Sequence, residues 1–258
     1  MLQSINSLGR RVLAFFSFFG ENFILLLHTI GGILHRPAER RQTVYQMAQI
    51  GIDSLPIAGI TTMFSGMVLA YHTAQQADKL GVGNLVGWLV AESMCRELGP
   101  VLTAIVIAAR AGSGMTAELG TMKVTEQIAA LRALATDPVH YLVLPRFLAT
   151  IAMLPLLTVI GDVIGVSGGY FIAMGTGKVN EVAYWANIPG NLETWTVVGG
   201  VIKTFFFAII IAIVSCHQGL TCRMDSEEVG RAVTRAVVYC IMLIYAANLL
   251  LTAIIFPG

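Results

Sequence analysis

The chain has 258 residues, of which 56% are hydrophobic and only 12% charged, with a formal net charge of +1 and a mean hydropathy of +0.75. Soluble domains carry about 25% charged residues, so this composition excludes a soluble globular enzyme and predicts an all-α integral membrane protein. No basic run of the kind that tracks phosphates is present, so nucleic acid is not expected as a partner.

Taken in chain order, the first apolar stretch, Val12 to Ile33, is rich in Phe and interrupted by Glu21, Asn22 and His28. Arg10 and Arg11 precede it and Arg36, Arg40 and Arg41 follow it. Both flanks therefore favour the cytoplasm, which argues against a single crossing and for an interfacial or re-entrant helix. No small-residue cleavage pattern follows Phe15–Phe19, so the segment is expected to be retained. Stretches of spanning length then run over 48–70, 84–109, 147–175, 196–218 and 236–256. Of the sixteen Lys and Arg residues, twelve fall on one side of these spans, two (Lys79, Lys178) on the other, and two (Arg96, Lys203) within them. The positive-inside rule gives five crossings, with the N-terminus cytoplasmic and the C-terminus outside.

The second span contains Glu92, Arg96 and Glu97 at its centre, about 18–20 Å from Gly83 at 1.5 Å per residue. A charge in mid-membrane costs about 2.5–3.5 kcal/mol on insertion scales, so such residues mark an interior or a water-filled path. Glu92 and Arg96 stand four apart and can bridge on one face, which a purely structural pair would also do. Glu97 lies about 100° round the helix from Arg96 and needs another partner. In the third span Gly161, Gly165 and Gly169 recur every four residues and allow close helix approach, either within one subunit or across a dimer. Asp53, Asp162 and Lys203 also lie within spans. Asp162 and Lys203 are able to neutralise each other, although Lys203, only about 10 Å into the fourth span, is expected nearer the outer mouth.

The 110–146 connection is too long and too patterned for a simple loop. Leu119, Met122, Glu126, Ile128, Leu131 and Leu134 fall at helical spacing, with Glu118, Lys123, Gln127 and Arg132 largely elsewhere. Asp137-Pro138 supplies a stop. A short amphipathic helix over about 116–135 is predicted, lying in the headgroup region or seated in a groove on a partner.

No catalytic set is visible. The GTGK at 175–178 lacks the preceding glycine of a phosphate loop and is followed by Val179. The five histidines lack metal-ligand spacing, and Cys95, Cys216, Cys222 and Cys240 form no CxxC pair. If transport here uses ATP, the ATPase is another chain. A secondary transporter of an amphipathic small molecule is the competing class, but five spans do not divide into the two halves of an inverted repeat. An intramembrane enzyme would need a nucleophile or a metal cluster. A pure scaffold would not need three ionisable groups in one span.

The run RELGPVLTAIVIAARAGSGMTAELGTMKVTEQIAALRALATDPVHYLVLPR, Arg96 to Arg146, resembles the signature of the MlaE (YrbE-type) permease family. The similarity extends through Phe147, the PLL at 155–157 and the TRAV at 234–237. The resemblance implies one permease domain over 1–258, with an interfacial helix over 1–45 and a five-span bundle over 46–258. It implies a bacterial inner-membrane subunit of an ABC system that moves phospholipids between inner and outer membranes and maintains outer-membrane lipid asymmetry. Its partners would be a second copy of itself, a cytoplasmic ABC ATPase using ATP and Mg, a STAS-domain protein on that ATPase, and a hexameric periplasmic MCE-domain protein. No cofactor would be bound by this chain. Glu92, Arg96, Glu97 and Lys203 would line the substrate path, and Glu118, Met122, Glu126, Ile128 and Leu131 would belong to the ATPase-coupling helix. His72, Gln75 and Gln76 at the outer ends are more polar than contact with lipid tails requires.

Overall fold

The computed structural model describes residues 2–35, 39–175, 179 and 181–257. Among them every regular element is helical: α1 (Leu2–His35), α2 (Arg40–Gly51), α3 (Leu55–Leu80), α4 (Val86–Ser93), α5 (Gly99–Ile107), α6 (Ser113–Val124), α7 (Gln127–Ala133), α8 (Leu144–Gly175), α9 (Glu181–Ala186), α10 (Ile188–Asn191), α11 (Thr194–Thr221) and α12 (Ser226–Ile255). Short 3-10 and π-helical turns join several of these end to end. Six continuous runs are long and apolar enough to cross a membrane: Phe16–Ile33, Arg40–Leu80, Gly83–Val124, Val139–Gly175, Thr194–Thr221 and Ser226–Ile255. The chain is an all-α integral membrane protein. Its last five runs correspond in order to the five spans expected from sequence. They overshoot the apolar stretches because a helix continues past the hydrocarbon once its polar ends reach water. Residues 71–80, expected in a loop, are the last turns of α3, which Gly81 ends in a left-handed cap with φ 70°. The GTGK motif falls largely outside the described residues.

The first and last runs are the least buried, 6% of the Phe16–Ile33 window and 11% of the Ser226–Ile255 window, and on the first Leu13, Phe16, Phe23, Ile24 and Leu27 are exposed. One side of α1 is held to the bundle. The Phe18 ring lies 4.8 Å from that of Tyr239, Glu21 meets His217 at 3.0 Å, and His28 meets Asp137 at 3.3 Å.

The glycines of α8 settle an alternative that the sequence leaves open. They pack against the chain's own helices. A Cβ on Gly66 of α3 would fall on the carbonyl oxygen of Gly165, and one on Gly161 would meet Thr62 and Thr103. Gly169 faces Val90, Ala70 and the Tyr184 hydroxyl. Backbone thus touches backbone between α3 and α8, where lipid provides no hydrophobic drive and van der Waals contact must hold the helices together. Buried threonines remain compatible with this dry interface because their hydroxyls bond to carbonyls of their own helix. Thr62 donates to Ala58 at 3.0 Å and Thr158 to Leu154 at 3.0 Å.

The predicted amphipathic helix over 116–135 is two pieces. Residues 116–124 are the end of the second run, as α6, and α7 starts only at Gln127. Glu126 between them has φ 59°, a left-handed conformation that no α-helix continues through. Helical spacing by itself does not register such a break, since the apolar positions stay in phase on both sides. The two pieces form an elbow. Ile128 is buried, and Leu131 and Met122 pack against the main core. Arg132, Ala133 and Leu134 lie outward, with Leu134 75% exposed.

Gly66→Ala should destabilise the detergent-purified protein by about 1–3 kcal/mol, because backbone on α8 must move to admit the methyl. Gly230→Ala, where a Cβ meets nothing within 4 Å, should be neutral or stabilising by up to about 1 kcal/mol. Comparing the denaturation midpoints of the two variants with the parent checks the α3–α8 contact.

Candidate functional site

The second run bends its register at the residues that matter. Met94–Leu98 forms a π-helical turn, an insertion frequently found at functional sites, between α4 and α5. Gly200 of α11 lets that helix approach until a Cβ there would meet the Cys95 carbonyl. Lys203, one turn further along α11, consequently reaches the second run at the level of Glu97 and not nearer the mouth. The contact with Glu97, not the residue count from the start of the span, sets the level of Lys203.

Lys203 is wholly buried, and Glu97 is its partner at 2.8 Å. Its ammonium also donates to the Arg96 carbonyl at 3.0 Å and to the Thr252 hydroxyl at 2.7 Å. Glu97 in turn accepts from Asn248 at 2.9 Å and from Thr252 at 2.9 Å. One ion pair therefore ties the second run, α11 and α12 together, and both of its charges have hydrogen-bond partners. The pairing of Lys203 with Asp162, open from sequence, does not occur. Asp162 is buried against Gly99, where a Cβ would meet its Oδ1, and that oxygen has no hydrogen-bond partner among the described residues.

Arg96 turns the other way. It meets Glu92 at 3.6 Å, as the four-residue spacing suggests, and its guanidinium lies 4.3 Å from the centre of the Phe256 ring. Its side chain is 38% exposed and lines an open cleft of about 690 Å³. Trp88, Glu92, Glu193, Trp195 and Phe256 line the same cleft. The Glu92 carboxylate accepts from Thr196 at 3.2 Å, and the Trp195 indole donates to the Ile255 carbonyl at 3.0 Å. So the four substrate-path candidates from sequence gather in one layer as two pairs: the wholly buried Lys203 with the partly exposed Glu97, and Glu92 with Arg96 on the cleft wall.

The family model for the permease MlaE matches residues 43–254. The chain belongs to the MlaE permease family. This MlaE-family chain is 38% identical over 256 residues to a probable ABC transporter permease protein of Rickettsia felis, covering 99% of both chains. It is 34% identical over 257 residues to the intermembrane phospholipid transport system permease protein MlaE of Haemophilus influenzae, covering 98% of this chain and 97% of that one. It is also 34% identical over 218 residues, 84% of this chain and 62% of the other, to the chloroplastic protein TRIGALACTOSYLDIACYLGLYCEROL 1 of Arabidopsis thaliana.

The coupling candidates of this MlaE-family permease divide between inside and outside. Glu118 bonds to Arg146 at 2.8 Å and to Gln49 at 3.1 Å, linking the second run to α8 and α2. Met122, Ile128 and Leu131 face the core, and Glu126 is exposed at the elbow. Sequence reasoning missed Asn248, Thr252, Phe256, Trp88, Trp195 and Glu193. Asn248 was legible as a polar residue inside an apolar span, whereas the others acquire a role only from their neighbours. His72 and Gln76 are exposed near the end of α3, away from the cleft's lining.

Lys203→Met alone should cost about 1–3 kcal/mol in stability, since it leaves Glu97, a third exposed, without its counter-charge. Adding Glu97→Gln should recover most of that loss, because the amide still bonds Asn248 and Thr252 and no unpaired charge is left. Denaturation of the two single variants and the double variant, read as a mutant cycle, measures the coupling.

Proposed function

We propose that this chain is the membrane subunit of an ABC transporter that moves phospholipids between the bacterial inner and outer membranes and so maintains outer-membrane lipid asymmetry. The observation that carries this reading is the partly exposed Arg96 on the wall of an open cleft in a membrane bundle, beside the Glu97–Lys203 pair. Ionisable groups in such a place belong to a substrate path. The guanidinium is the side chain best suited to a phosphodiester, and the apolar flanks of the cleft suit acyl tails. The similarity to the Haemophilus permease, whose name states phospholipid transport, supports the same substrate.

In this reading two copies of the chain work together in the inner membrane, with the N-terminus cytoplasmic, α1 lying along the cytoplasmic interface and the C-terminal end periplasmic. A separate cytoplasmic ATPase hydrolyses ATP with Mg and pushes on the elbow. A STAS-domain protein sits on that ATPase and a hexameric MCE-domain protein receives lipid at the periplasmic end. The chain itself hydrolyses nothing. The elbow's outward surface at Arg132 and Leu134 is the part that fits the ATPase groove, while Ile128 and Leu131 hold it to the bundle.

Arg96→Gln should leave the complex assembled and lower lipid transport between vesicles at least about tenfold, the loss typical of one charged hydrogen bond. Wild-type transport in a well-assembled Arg96→Gln complex would refute the assigned path. Leu134→Asp, at an exposed position, should leave the permease folded while ATPase activity stops depending on it. Unchanged co-purification of the ATPase and unchanged coupled turnover would exclude the elbow as its seat.

A further inference from the structure

The charge on the cleft wall points to the headgroup it takes. Its lining carries two carboxylates, Glu92 and Glu193, and one cation, Arg96, and so has one negative charge in excess. Lys203 stands behind this wall and is already matched by Glu97. A ligand with only negative charge would therefore compete with Glu92 for Arg96 and meet a second carboxylate, Glu193, in the same cleft. A ligand carrying both signs meets neither penalty. Its phosphodiester takes the Arg96 guanidinium, which is partly exposed on the cleft wall. Its ammonium takes Glu193, together with the face of Trp195, whose ring is fixed by its bond to the Ile255 carbonyl. Glu193 is exposed and its side chain makes no capping bond to α11, so it is available to a ligand.

We propose that the cleft selects a zwitterionic phospholipid headgroup, a phosphodiester bearing an amine, over an anionic headgroup without one. This rests on the reading of the cleft as a phospholipid path. Placing unpaired like charge against the wrong ligand is a common source of such discrimination.

Two of the chain's three tryptophans, Trp88 and Trp195, line the cleft, so intrinsic fluorescence of the purified full chain reports its occupancy. Titration with dioctanoyl phosphatidylethanolamine should show binding about fivefold tighter than with dioctanoyl phosphatidylglycerol, the upper range for one partly exposed ion pair. Glu193→Gln should weaken the ethanolamine lipid and not the glycerol lipid, bringing the two together. Arg96→Gln should weaken both. Equal or tighter binding of phosphatidylglycerol, or a preference unchanged in Glu193→Gln, overturns the headgroup selection. If both lipids bind equally and depend on Arg96, the selection falls while the lipid path stands. If neither lipid alters the emission and Arg96→Gln changes nothing, the path itself falls and the selection with it. Water-soluble glycerophosphoethanolamine should bind far more weakly than the lipid, and equal binding would overturn a lipid ligand in favour of a soluble one.

Discussion

A lysine with no exposed surface sits in the middle of an apolar bundle, and the rest of the site is arranged around making that tolerable. Isolating a charge in such a medium costs several kcal/mol even after relaxation. Lys203 escapes the cost through Glu97 at 2.8 Å, and Glu97 is itself satisfied by Asn248 and Thr252. These four residues come from three different helical runs, so the pair specifies how the second run, α11 and α12 face one another. Hydrophobic contacts alone do not specify this in a membrane, where lipid tails compete on equal terms with side chains. The pair also fixes the orientation of its neighbour. With Glu97 engaged by Lys203, Asn248 and Thr252, Arg96 is left on the cleft wall, and its contact with the Phe256 ring holds it there.

The second constraint is close backbone approach. Gly66 against Gly165 brings α3 onto α8, and Gly200 against Cys95 brings α11 onto the π-helical turn. Both contacts put a rigid element beside the charged layer, one on each side of the second run. Being consecutive on a helical turn, Arg96 and Glu97 point in different directions. Small residues and the ion pair thus form a single arrangement, and the cleft is what remains open at its edge.

At the other end of the second run a different polar set connects the elbow to the bundle. Arg146, itself buried, pairs with Glu118, which also receives Gln49, while Arg110 bonds the Gln49 carbonyl and meets Asp53 at 3.5 Å. The elbow's inward residues Ile128 and Leu131 belong to the same core. The polar set thus ties α2, α6 and α8 together beside the elbow. Rigid packing transmits displacement because interiors have little free volume to absorb it. The N-terminal helix joins this end through His28 and Asp137 and keeps its apolar outer side free for lipid.

Composition and charge placement were sufficient for the membrane class, the order of five spans and the ionisable centre of the second span, because these depend only on hydropathy along the chain and on local spacing. The Glu92–Arg96 bridge was legible for the same reason. The signature from Arg96 to Arg146 carried the family. Sequence could not supply the partner of Lys203, since opposite charges in different spans pair according to helix height and rotation. Those follow from Gly200 and the π-helical turn, not from residue counts. Nor could it divide 116–135, because the left-handed Glu126 interrupts the backbone without disturbing the apolar phase. The faces of Gly161, Gly165 and Gly169, the inward turn of Leu131 and the gathering of Trp88, Glu193 and Trp195 around Arg96 were likewise decided by tertiary packing. Each is a relation between helices distant in sequence, and the free energy that selects it comes from contacts existing only once they meet.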